Sequence, residues 1–409
     1  MTGPHELPSL PDVRLAGLAA EARALQADTV ALRRELHRHP EIGLNLPRTQ
    51  QAILDAIAVL PLEVTTGRTT TSVTAVLRGR RPGPAVLLRG DMDALPMPED
   101  TGEEFASTVP GVMHGCGHDT HVAMLVSAAR LLSAHANELA GSVVFMFQPG
   151  EEGYHGARHM IHDGVLDAAG ERVERAFGLH IYPNFPSGQI RTRAGALMAS
   201  ADTFSVRVTG KGGHGSLPHN AVDPVPAAAA MVGALQTMVT RRVNVADPAV
   251  VSVTRIEAGT TTNVIPETAV LEGTIRALSE ATRARVHAEL PTVCDGIAAA
   301  HGCRALIDIE PGYPPTINDA DEAARVLGLA AEVLGAPNAA EMAAPIMGAE
   351  DFSYVLQRVP GAFAFLGACP PGTDPDDAAS NHSNRARHHE DAMANGVAMY
   401  AAYALDTLR

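Results

Sequence analysis

The sequence has no tryptophan, and aromatic residues make up only 4% of its 409 positions. An aromatic platform on which nucleic-acid bases could stack is therefore not expected. Basic residues are also scarce, because 31 lysines and arginines face 46 aspartates and glutamates, for a formal net charge of −15. Since no basic footprint dominates, we expect neither nucleic acid nor an anionic membrane as the main partner.

Cysteine is rare as well, and the four residues form neither a CxxC pair nor a disulfide framework. They are Cys116, Cys294, Cys303 and Cys369. The first residues lack a basic segment followed by an apolar one, so no signal peptide is predicted. The longest apolar stretches, such as 227–235, are far shorter than the roughly 20 residues that cross a bilayer. Together these absences predict a cytoplasmic protein in a reducing compartment.

What is present is a chain that is 46% hydrophobic and long enough for two or three domains. After a loose leader at 1–13, a helical pattern runs from 13 to 39. Short continuous apolar runs at 85–88 and 143–147 are typical of buried strands in a parallel sheet. Helical patterns follow at 118–134, 320–334 and 389–408. This alternation predicts an α/β fold with a mostly parallel central sheet.

The segment 200–309 has a different pattern. Its strands and helices follow in the order β-α-β-β-α-β, which is the ferredoxin-like arrangement. We therefore expect one discontinuous α/β domain, made of 14–199 and 310–409, interrupted by a smaller α+β domain at 200–309.

Side chains that bind metals collect at the ends of the predicted parallel strands. Asp91 and Asp93 follow one strand, Glu151 and Glu152 follow another, and His180 lies at the end of a third. A further cluster, GCGHDTH at 115–121, begins the helix that follows. Each feature alone has a simpler interpretation, as a packed histidine, a buried thiol or a solvated acidic turn. Together they predict a metal site at the carboxyl edge of the sheet, where α/β proteins bind ligands.

Eight motifs occur in order: LHRHPEIG (36–43), RGDMDALPMPE (89–99), MHGCGHDTH (113–121), FQPGEEG (147–153), LHIYP (179–183), GKGGHGSLPH (210–219), NVIPETAVLEGTIR (263–276) and GAEDFSYV (348–355). They resemble the metal-dependent amidohydrolase and metallopeptidase family of aminoacylases, hippurate hydrolases and indole-acetyl-amino-acid hydrolases. The resemblance is to its Cys-containing branch and covers nearly the whole chain.

The resemblance implies a catalytic domain with two divalent metal ions, Zn²⁺ or Mn²⁺ with Co²⁺ or Ni²⁺ as other candidates. It also implies that the inserted ferredoxin-like domain is a lid that forms a homodimer or a higher oligomer. The ligands carried over by motif are Cys116, His118, Glu152, His180 and His382, with Cys116 bridging the two ions. Asp93 would orient a ligand, and Asp91 stands where distant relatives have a ligand histidine.

The implied reaction is hydrolysis of the amide bond of N-acyl amino acids by metal-activated water. Glu151 matches the general base. His214 matches a lid histidine that stabilises the oxyanion in the partner subunit's site. Asn263 and Arg276 match lid residues that hold the substrate's carboxylate, a role for which a guanidinium is well suited.

Two positions depart from the family pattern. Gly150 replaces the usual alanine before the glutamate pair, which is expected to loosen the turn. Near His382, relatives usually have a preceding leucine and a following apolar or aromatic stretch. We prefer His382 as the ligand over His388 and His389, which we interpret as a solvated approach to the last helix.

Other conspicuous polar residues receive simpler interpretations. Asp119 and His121 are interpreted as helix-cap and packing residues, His37 and His39 as structural, and Glu350 has no assigned role.

Three alternatives stay open at this point. The chain could be a carboxypeptidase or dipeptidase of the same family. It could use Cys116 as a nucleophile with His118 as its base, although a thiolate held by metals is not free to attack. It could also be a non-catalytic protein that binds a metal or ligand. The acyl group, the amino acid and the metal are not specified by the motifs.

Overall fold

A computed structural model describes residues 15–409, so the leader expected at 1–13 and the start of the helix expected from residue 13 lie outside it. The α-helices of this range are α1 (Leu18–Ala24), α2 (Gln26–Arg38), α3 (Pro47–Ile57), α4 (His118–Ala134), α5 (Gly156–His162), α6 (Pro224–Arg242), α7 (Glu280–Ala300), α8 (Ala320–Leu334), α9 (Ser353–Leu356) and α10 (Met393–Thr407). Its strands are β1 (Leu62–Thr66), β2 (Val73–Arg78), β3 (Arg81–Asp91), β4 (Ala140–Gln148), β5 (Arg175–Tyr182), β6 (Ile190–Thr192), β7 (Gly195–Met198), β8 (Ala201–Thr209), β9 (Gly213–His214), β10 (Ala249–Ala258), β11 (Val264–Ile265), β12 (Thr268–Ala277), β13 (Arg304–Tyr313), β14 (Thr316–Asn318), β15 (Ala339–Glu341) and β16 (Gly361–Gly367). Single turns of 3₁₀ helix lie at Leu15–Gly17, Ala136–Glu138, Val165–Asp167, Pro218–Asn220, Ala336–Asn338 and Glu390–Ala392.

The described chain forms two units, of which the second comprises Ala196–Ile317 and Ala344–Ser353. The sequence places these boundaries at 200 and 309 and assigns 344–353 to the other domain. The structure differs because β13 continues to Tyr313. In addition, the backbone of 344–353 bonds to the start of the unit, with Ile346 N–H donating to the Leu197 carbonyl at 3.0 Å. Such pairing between distant segments leaves no local sequence signal.

The first unit is built on an eight-stranded sheet with the order β1-β2-β4-β3-β5-β16-β6-β15. The four middle strands, β4, β3, β5 and β16, are parallel, while β2 joins β4 and β6 joins β16 in antiparallel pairs. Those four strands are buried on both faces over most of their length, as their continuous apolar runs predict. The predicted α/β fold with a mostly parallel central sheet is confirmed.

Helix α4 has the predicted bounds, 118–134, and is buried on nearly every side. It packs between α2 and α10. The single helix expected from 13 to 39 is instead interrupted at Leu25, which separates α1 from α2. Helix α3 lies outside the predicted elements, although Pro47 in its first turn and the helical spacing of Ile53 and Ile57 are signals for it. Strand β1 is mostly exposed and has no alternating pattern to indicate it.

A buried ion pair joins α2 to the first turn of α4. The Asp119 carboxylate accepts hydrogen bonds from Arg33 Nε at 2.7 Å and His37 Nδ1 at 2.8 Å. Burial raises the pKa of Asp119, but Arg33 and His37 outweigh it and hold that pKa well below its usual range. Asp119 is therefore not the helix cap that the sequence predicted. Breaking such a pair by removing one partner costs about 3–5 kcal/mol, because a buried charge is left alone.

The second unit contains a four-stranded antiparallel sheet with the order β10-β12-β8-β13. Numbered along the chain, this is the strand order 2-3-1-4 of the ferredoxin-like fold, with α6 and α7 as its helices. The predicted β-α-β-β-α-β insertion is therefore confirmed. Strands β9 and β11 form a separate two-stranded pair.

Across residues 15–409, no helix combines the length and the apolar sequence needed to cross a bilayer.

Candidate metal centre

The parallel strands of the first unit end at one edge of its sheet, and the predicted site residues lie there. Strand β3 ends at Asp91, and β4 ends three residues before Glu151. His180 lies near the end of β5, and His118 is the first residue of α4. Because parallel strands share the same carboxyl edge, four distant sequence segments deliver polar side chains to one place.

Two groups of potential ligand atoms overlap at a single thiol. One contains Cys116, His118 and His180, the other Cys116, Glu152 and His382, and the ligand atoms of each lie within 4.8 Å of one another. Two donors at about 2.0–2.3 Å from one ion can be at most about 4.6 Å apart, so both groups approach the size of a metal site. The structure therefore brings all five predicted ligands together around Cys116.

Individual distances support this geometry. Cys116 Sγ lies 3.3 Å from His180 Nε2, and His382 Nε2 lies 3.2 Å from Glu152 Oε1. His118 Nε2 lies 4.0 Å from the same carboxylate oxygen. The His118 nitrogen is buried and makes no hydrogen bond within the described residues. A buried polar atom without a hydrogen bond is costly, and a bound cation would remove that cost.

The other nitrogen of two ligand histidines is already used. His118 Nδ1 donates to the Asp93 carbonyl at 2.8 Å, and His180 Nδ1 donates to the Ile181 carbonyl at 2.8 Å. Since each Nδ1 is engaged in these bonds, Nε2 is the nitrogen that each ring has left to bind a cation. Backbone carbonyls commonly fix metal-binding histidines in this way.

Asp93 also shapes the acidic turn. Its two carboxylate oxygens accept the backbone N–H groups of Glu151 at 3.0 Å and Glu152 at 3.1 Å. Asp93 thus holds the backbone of both glutamates while its carbonyl orients His118. The ligand-orienting role expected for Asp93 has a direct geometric basis here.

The electrostatic environment favours a cation. Burial lowers the pKa of His118, but Asp91 and Asp93 outweigh it and raise that pKa to about 10. Burial raises the pKa of Cys116, and the Glu152 and Glu151 carboxylates raise it further. Both raised pKa values mean that His118 and Cys116 keep their protons, because the surrounding carboxylates are negatively charged. A divalent cation bound to thiolate and neutral imidazole would supply the same compensation, so the residues fit the metals that the resemblance implies.

Asp91 and His121 form a second layer of hydrogen bonds behind the ligands. His121 Nδ1 donates to Asp91, and its Nε2 accepts the Ile181 N–H at 2.7 Å. With both nitrogens engaged, His121 is not available as a ligand, although it lies close to Asp91 and His118. It is also more than the packing residue that the sequence predicted. Buried Arg89 compensates Asp91 through a 2.7 Å ion pair.

The C-terminal ligand loop shows a further difference from the sequence prediction. His382 reaches the group with Cys116 and Glu152, whereas His388 and His389 are in neither group. His388 is not solvated, since it is only 7% exposed. Its Nε2 bonds to Asn381 at 2.9 Å. The sequence shows that polar residues replace an apolar stretch here, but it carries no local signal that Asn381 and His388 meet.

The remaining predicted residues belong to the second unit. His214 on β9 pairs with Val264 on β11, and Asn263 directly precedes that residue. Both are exposed, and the Asn263 carbonyl accepts the Gly215 N–H at 2.8 Å. Glu350 is buried, where its carboxylate accepts the Phe352 N–H at 2.8 Å.

Arg276, on β12, has a half-buried side chain with no hydrogen bond or ion pair inside the described range. Burial lowers its pKa, with the Asp202 carboxylate opposing that effect. Asp202 itself is bound by Arg283 at 2.6 Å and His287 at 3.0 Å. Asp202 is therefore occupied by other partners, and it forms no ion pair with Arg276.

These features define a class. A buried cluster of thiol, imidazole and carboxylate groups lies beside a second carboxylate. The α/β unit that carries it is interrupted by a ferredoxin-like unit. This is the architecture of a metal-dependent hydrolase. The chain belongs to the Peptidase family M20/M25/M40, whose model matches residues 87–406.

The relatives share nearly the whole length of the chain. It is 36% identical to Thermostable carboxypeptidase 1 of Saccharolobus solfataricus over 95% of this chain and 97% of that protein. It is 38% identical to N-acetylcysteine deacetylase of Bacillus subtilis over 84% of this chain and 89% of that one. A crystal structure of the Bacillus subtilis protein YXEP, described as a dinuclear metal binding peptidase of the M20 family, is 34% identical, with a TM-score of 0.81 over 94% of this chain and 99% of that one.

Gly150 explains one departure from the family pattern. Its φ of +73° lies in the region that favours glycine, and a Cβ there would lie 2.5 Å from Leu44 Cδ2. Glycine therefore allows a packed turn before Glu151, rather than the loosened one expected from the sequence.

We expect Gly150→Ala to destabilise the protein more than Gly153→Ala, its matched control. Residue 153 has a similar φ of +89°, but a Cβ there would meet no atom within 4 Å. Backbone strain should cost about 1–2 kcal/mol at either site, and the contacts with the tip of Leu44 and with Tyr154 Cβ should add about 1 kcal/mol at residue 150 alone. Denaturant unfolding measures both losses. Equal losses would show that the turn has room for a side chain.

Proposed function

We propose that the protein hydrolyses the amide bond between an acyl group and an amino acid whose carboxylate is free. The observation that carries this proposal is the pair of ligand groups that share the Cys116 thiol, with Glu151 beside them. We propose that Cys116, His118, Glu152, His180 and His382 would hold two divalent cations, since the Cys116 thiol is common to both groups of ligand atoms. The donor set suits Zn²⁺, and Mn²⁺ or Co²⁺ would also be accepted.

The cations, when bound, supply Lewis-acid polarisation of the amide carbonyl and a lower pKa for water at the site. The reacting proton is handled by Glu151, whose carboxylate lies within 4.8 Å of the ligand atoms of His118 and Glu152. It takes a proton as the water oxygen bonds to the carbonyl carbon. It then returns that proton to the nitrogen as the C–N bond breaks, which releases a carboxylic acid and an amino acid.

Glu151 is well suited to this role because its position is fixed. It is 6% exposed, and Asp93 holds its backbone N–H at 3.0 Å. A held general base loses little entropy on reaching the transition state. A protein that only bound metal or ligand would have no use for this second carboxylate.

A nucleophilic role for Cys116 is disfavoured. A nucleophilic thiol needs a lowered pKa, whereas burial and the Glu152 and Glu151 carboxylates raise the pKa of Cys116 well above its ordinary value. Its hydrogen-bond partner is also His180, at 3.3 Å, rather than the base His118 that this mechanism requires.

Recognition of the free carboxylate is assigned to the second unit. Arg276 offers a half-buried guanidinium without a partner in the described chain, and Asn263 offers an exposed amide. The same recognition would serve a carboxypeptidase, and one relative is named Thermostable carboxypeptidase 1. We place N-acyl amino acids first, since another relative is named N-acetylcysteine deacetylase, and dipeptides second.

We further propose that the second unit is a lid that forms a homodimer, and that His214 stabilises the oxyanion in the partner subunit's site. His214 is exposed on a two-residue strand between glycine-rich segments, so its ring is accessible to a second copy of the chain.

The first test concerns the metal and Glu151. Chelation should abolish hydrolysis of a panel of N-acetyl, N-benzoyl and N-indoleacetyl amino acids and dipeptides, and Zn²⁺, Mn²⁺ or Co²⁺ should restore it. Glu151→Gln should lose about 10²–10⁴-fold in kcat while keeping its metal content by atomic absorption. Glu138→Gln, at a partly exposed 3₁₀ turn, is the control. Full turnover by chelated protein, or by Glu151→Gln, would refute the mechanism.

The second test concerns Arg276. Arg276→Met should raise KM for N-acyl amino acids by about 10–100-fold, the value of a hydrogen bond to a charged group. It should leave the much poorer turnover of the corresponding carboxamides unchanged. Arg304→Met, an exposed arginine of the same sheet, should change neither. Equal effects on acids and carboxamides would show that Arg276 does not bind the carboxylate.

The third test is subunit complementation. His214→Ala and Glu151→Gln should each be nearly inactive, since each site lacks one group. In a 1:1 mixture, hybrid dimers contain one complete site, and about a quarter of the wild-type activity should return. A mixture that stays inactive, or a fully active monomer in sedimentation, would contradict the dimer.

A further inference from the structure

A polar pair lies behind the ligand loops, where the sequence predicted a solvated approach to the last helix. His388 is 7% exposed, and its Nε2 lies 2.9 Å from the Asn381 side-chain oxygen. Asn381 immediately precedes the ligand His382. Both residues lie where the resemblance to the family is broken, because relatives usually have a leucine before that histidine and an apolar or aromatic stretch after it.

The Ile181 carbonyl determines which atoms donate and which accept in the hydrogen bonds of Asn381 and His388. Asn381 Nδ2 lies 3.0 Å from the Ile181 carbonyl, which can only accept, so the amide nitrogen must face it. The amide oxygen therefore faces His388, whose Nε2 must be the donor. A chain of two hydrogen bonds runs from His388 through Asn381 to Ile181.

The Ile181 carbonyl is also the acceptor that orients a ligand. It accepts His180 Nδ1 at 2.8 Å, so the two lone pairs of one oxygen can serve both His180 and Asn381. The loop that carries His382 is thereby tied to the strand that carries His180. These two ligands belong to different groups around Cys116.

The ring of His388 also contacts the third ligand segment. A Cβ at residue 117 would lie 3.0 Å from His388 Cε1 and 2.5 Å from Ile181 Cγ2. Gly117 has a φ of +86° and stands between the ligands Cys116 and His118. The imidazole therefore packs directly against the backbone of the loop that presents them.

Backbone strain shows why His382 needs such support. Its φ is +67°, and His155 is the only other non-glycine residue of 15–409 with a positive φ. A residue held in this conformation persists only where its surroundings fix it. For His382 those surroundings are the 3.0 Å bond from its own N–H to the Gly115 carbonyl and the anchored side chain of Asn381.

We propose that Asn381 and His388 are positioning residues that preorganise His382 and His180 for metal binding in this chain. The two side chains support the loop that carries His382 through hydrogen bonds. An apolar pair could support the same loop by packing alone. The inference rests on the ligand assignment of the proposed function. Loss of the pair should weaken metal binding without removing a ligand.

The test measures Co²⁺ dissociation constants by competition with a chelator, together with the visible Co²⁺ absorption spectrum. His388→Phe and Asn381→Leu should each weaken binding of at least one Co²⁺ by about 10-fold or more. The double variant should be no weaker than the worse single one, since both changes break the same chain of bonds. His388→Gln keeps an N–H donor and should restore most of the affinity.

Asn395→Leu is the matched control. Asn395 is also half-buried and donates one side-chain bond to a backbone carbonyl, that of Gly188, at 2.8 Å, but within 15–409 its side chain makes no hydrogen bond to a ligand segment. It should leave Co²⁺ affinity unchanged. The Tm of each chelated variant reports stability separately from metal affinity.

The outcomes separate the two proposals. Wild-type protein that binds no Co²⁺ would overturn the ligand assignment, and this inference with it. Wild-type protein that binds two Co²⁺ ions while His388→Phe and Asn381→Leu show lower Tm but unchanged affinity would overturn the inference alone. Additive losses in the double variant, or a His388→Gln variant as weak as His388→Phe, would also overturn it.

Discussion

The site depends on one constraint, which is that several carboxylates are concentrated in a buried region of the protein. Asp91, Asp93, Glu151 and Glu152 lie around a buried thiol, and Asp91 is compensated by an ion pair with the buried guanidinium of Arg89. Burying carboxylates without compensation is costly. The protons retained by His118 and Cys116, shown by their raised pKa values, are a weak form of compensation. Two divalent cations would compensate this negative charge more strongly. The balance between buried carboxylates and bound cations therefore links the stability of the site to its chemistry.

The sheet makes that concentration possible. Four parallel strands end at one edge, and each contributes through the segment that follows it, so the ligands need not be near one another in sequence. The strands also offer fixed backbone groups. The carbonyls of Asp93 and Ile181 orient His118 and His180, and the Ile181 N–H fixes His121. Much of the precision of the site therefore comes from backbone atoms, whose positions are set by the sheet.

The second unit has a different task. Its antiparallel sheet packs α6 and α7 around its own apolar core, while Arg276 forms no hydrogen bond or ion pair with any residue of 15–409. Asp202 could have paired with it but is committed to Arg283 and His287. Leaving a half-buried guanidinium unpaired costs stability, which is consistent with a group kept for a ligand. The proposed metal centre thus lies in one compact unit of the chain, and the arginine proposed to bind the carboxylate lies in the other.

The sequence by itself determined the fold class, the ferredoxin-like insertion, the bounds of α4 and α8, and the four residues that converge on Cys116. These features have local signals: apolar periodicity marks the elements, and motif residues mark the ligands. Helix α3 had such a signal, in Pro47 and the helical spacing of Ile53 and Ile57, and the prediction missed it. The break at Leu25 and the assignment of 344–353 had none. Nor did the roles of Asp119, His121 and His388, each of which was expected to cap, pack or face solvent.

Only the tertiary structure decided those roles. A buried polar residue acquires its function from partners that are distant in sequence, as Asp119 does from Arg33 and Asn381 does from Ile181. Periodicity records which face of an element is apolar, but it does not record which buried donor meets which acceptor. Hydrogen bonding between such groups is directional and depends on tenths of an ångström, so it is fixed only when the segments have packed.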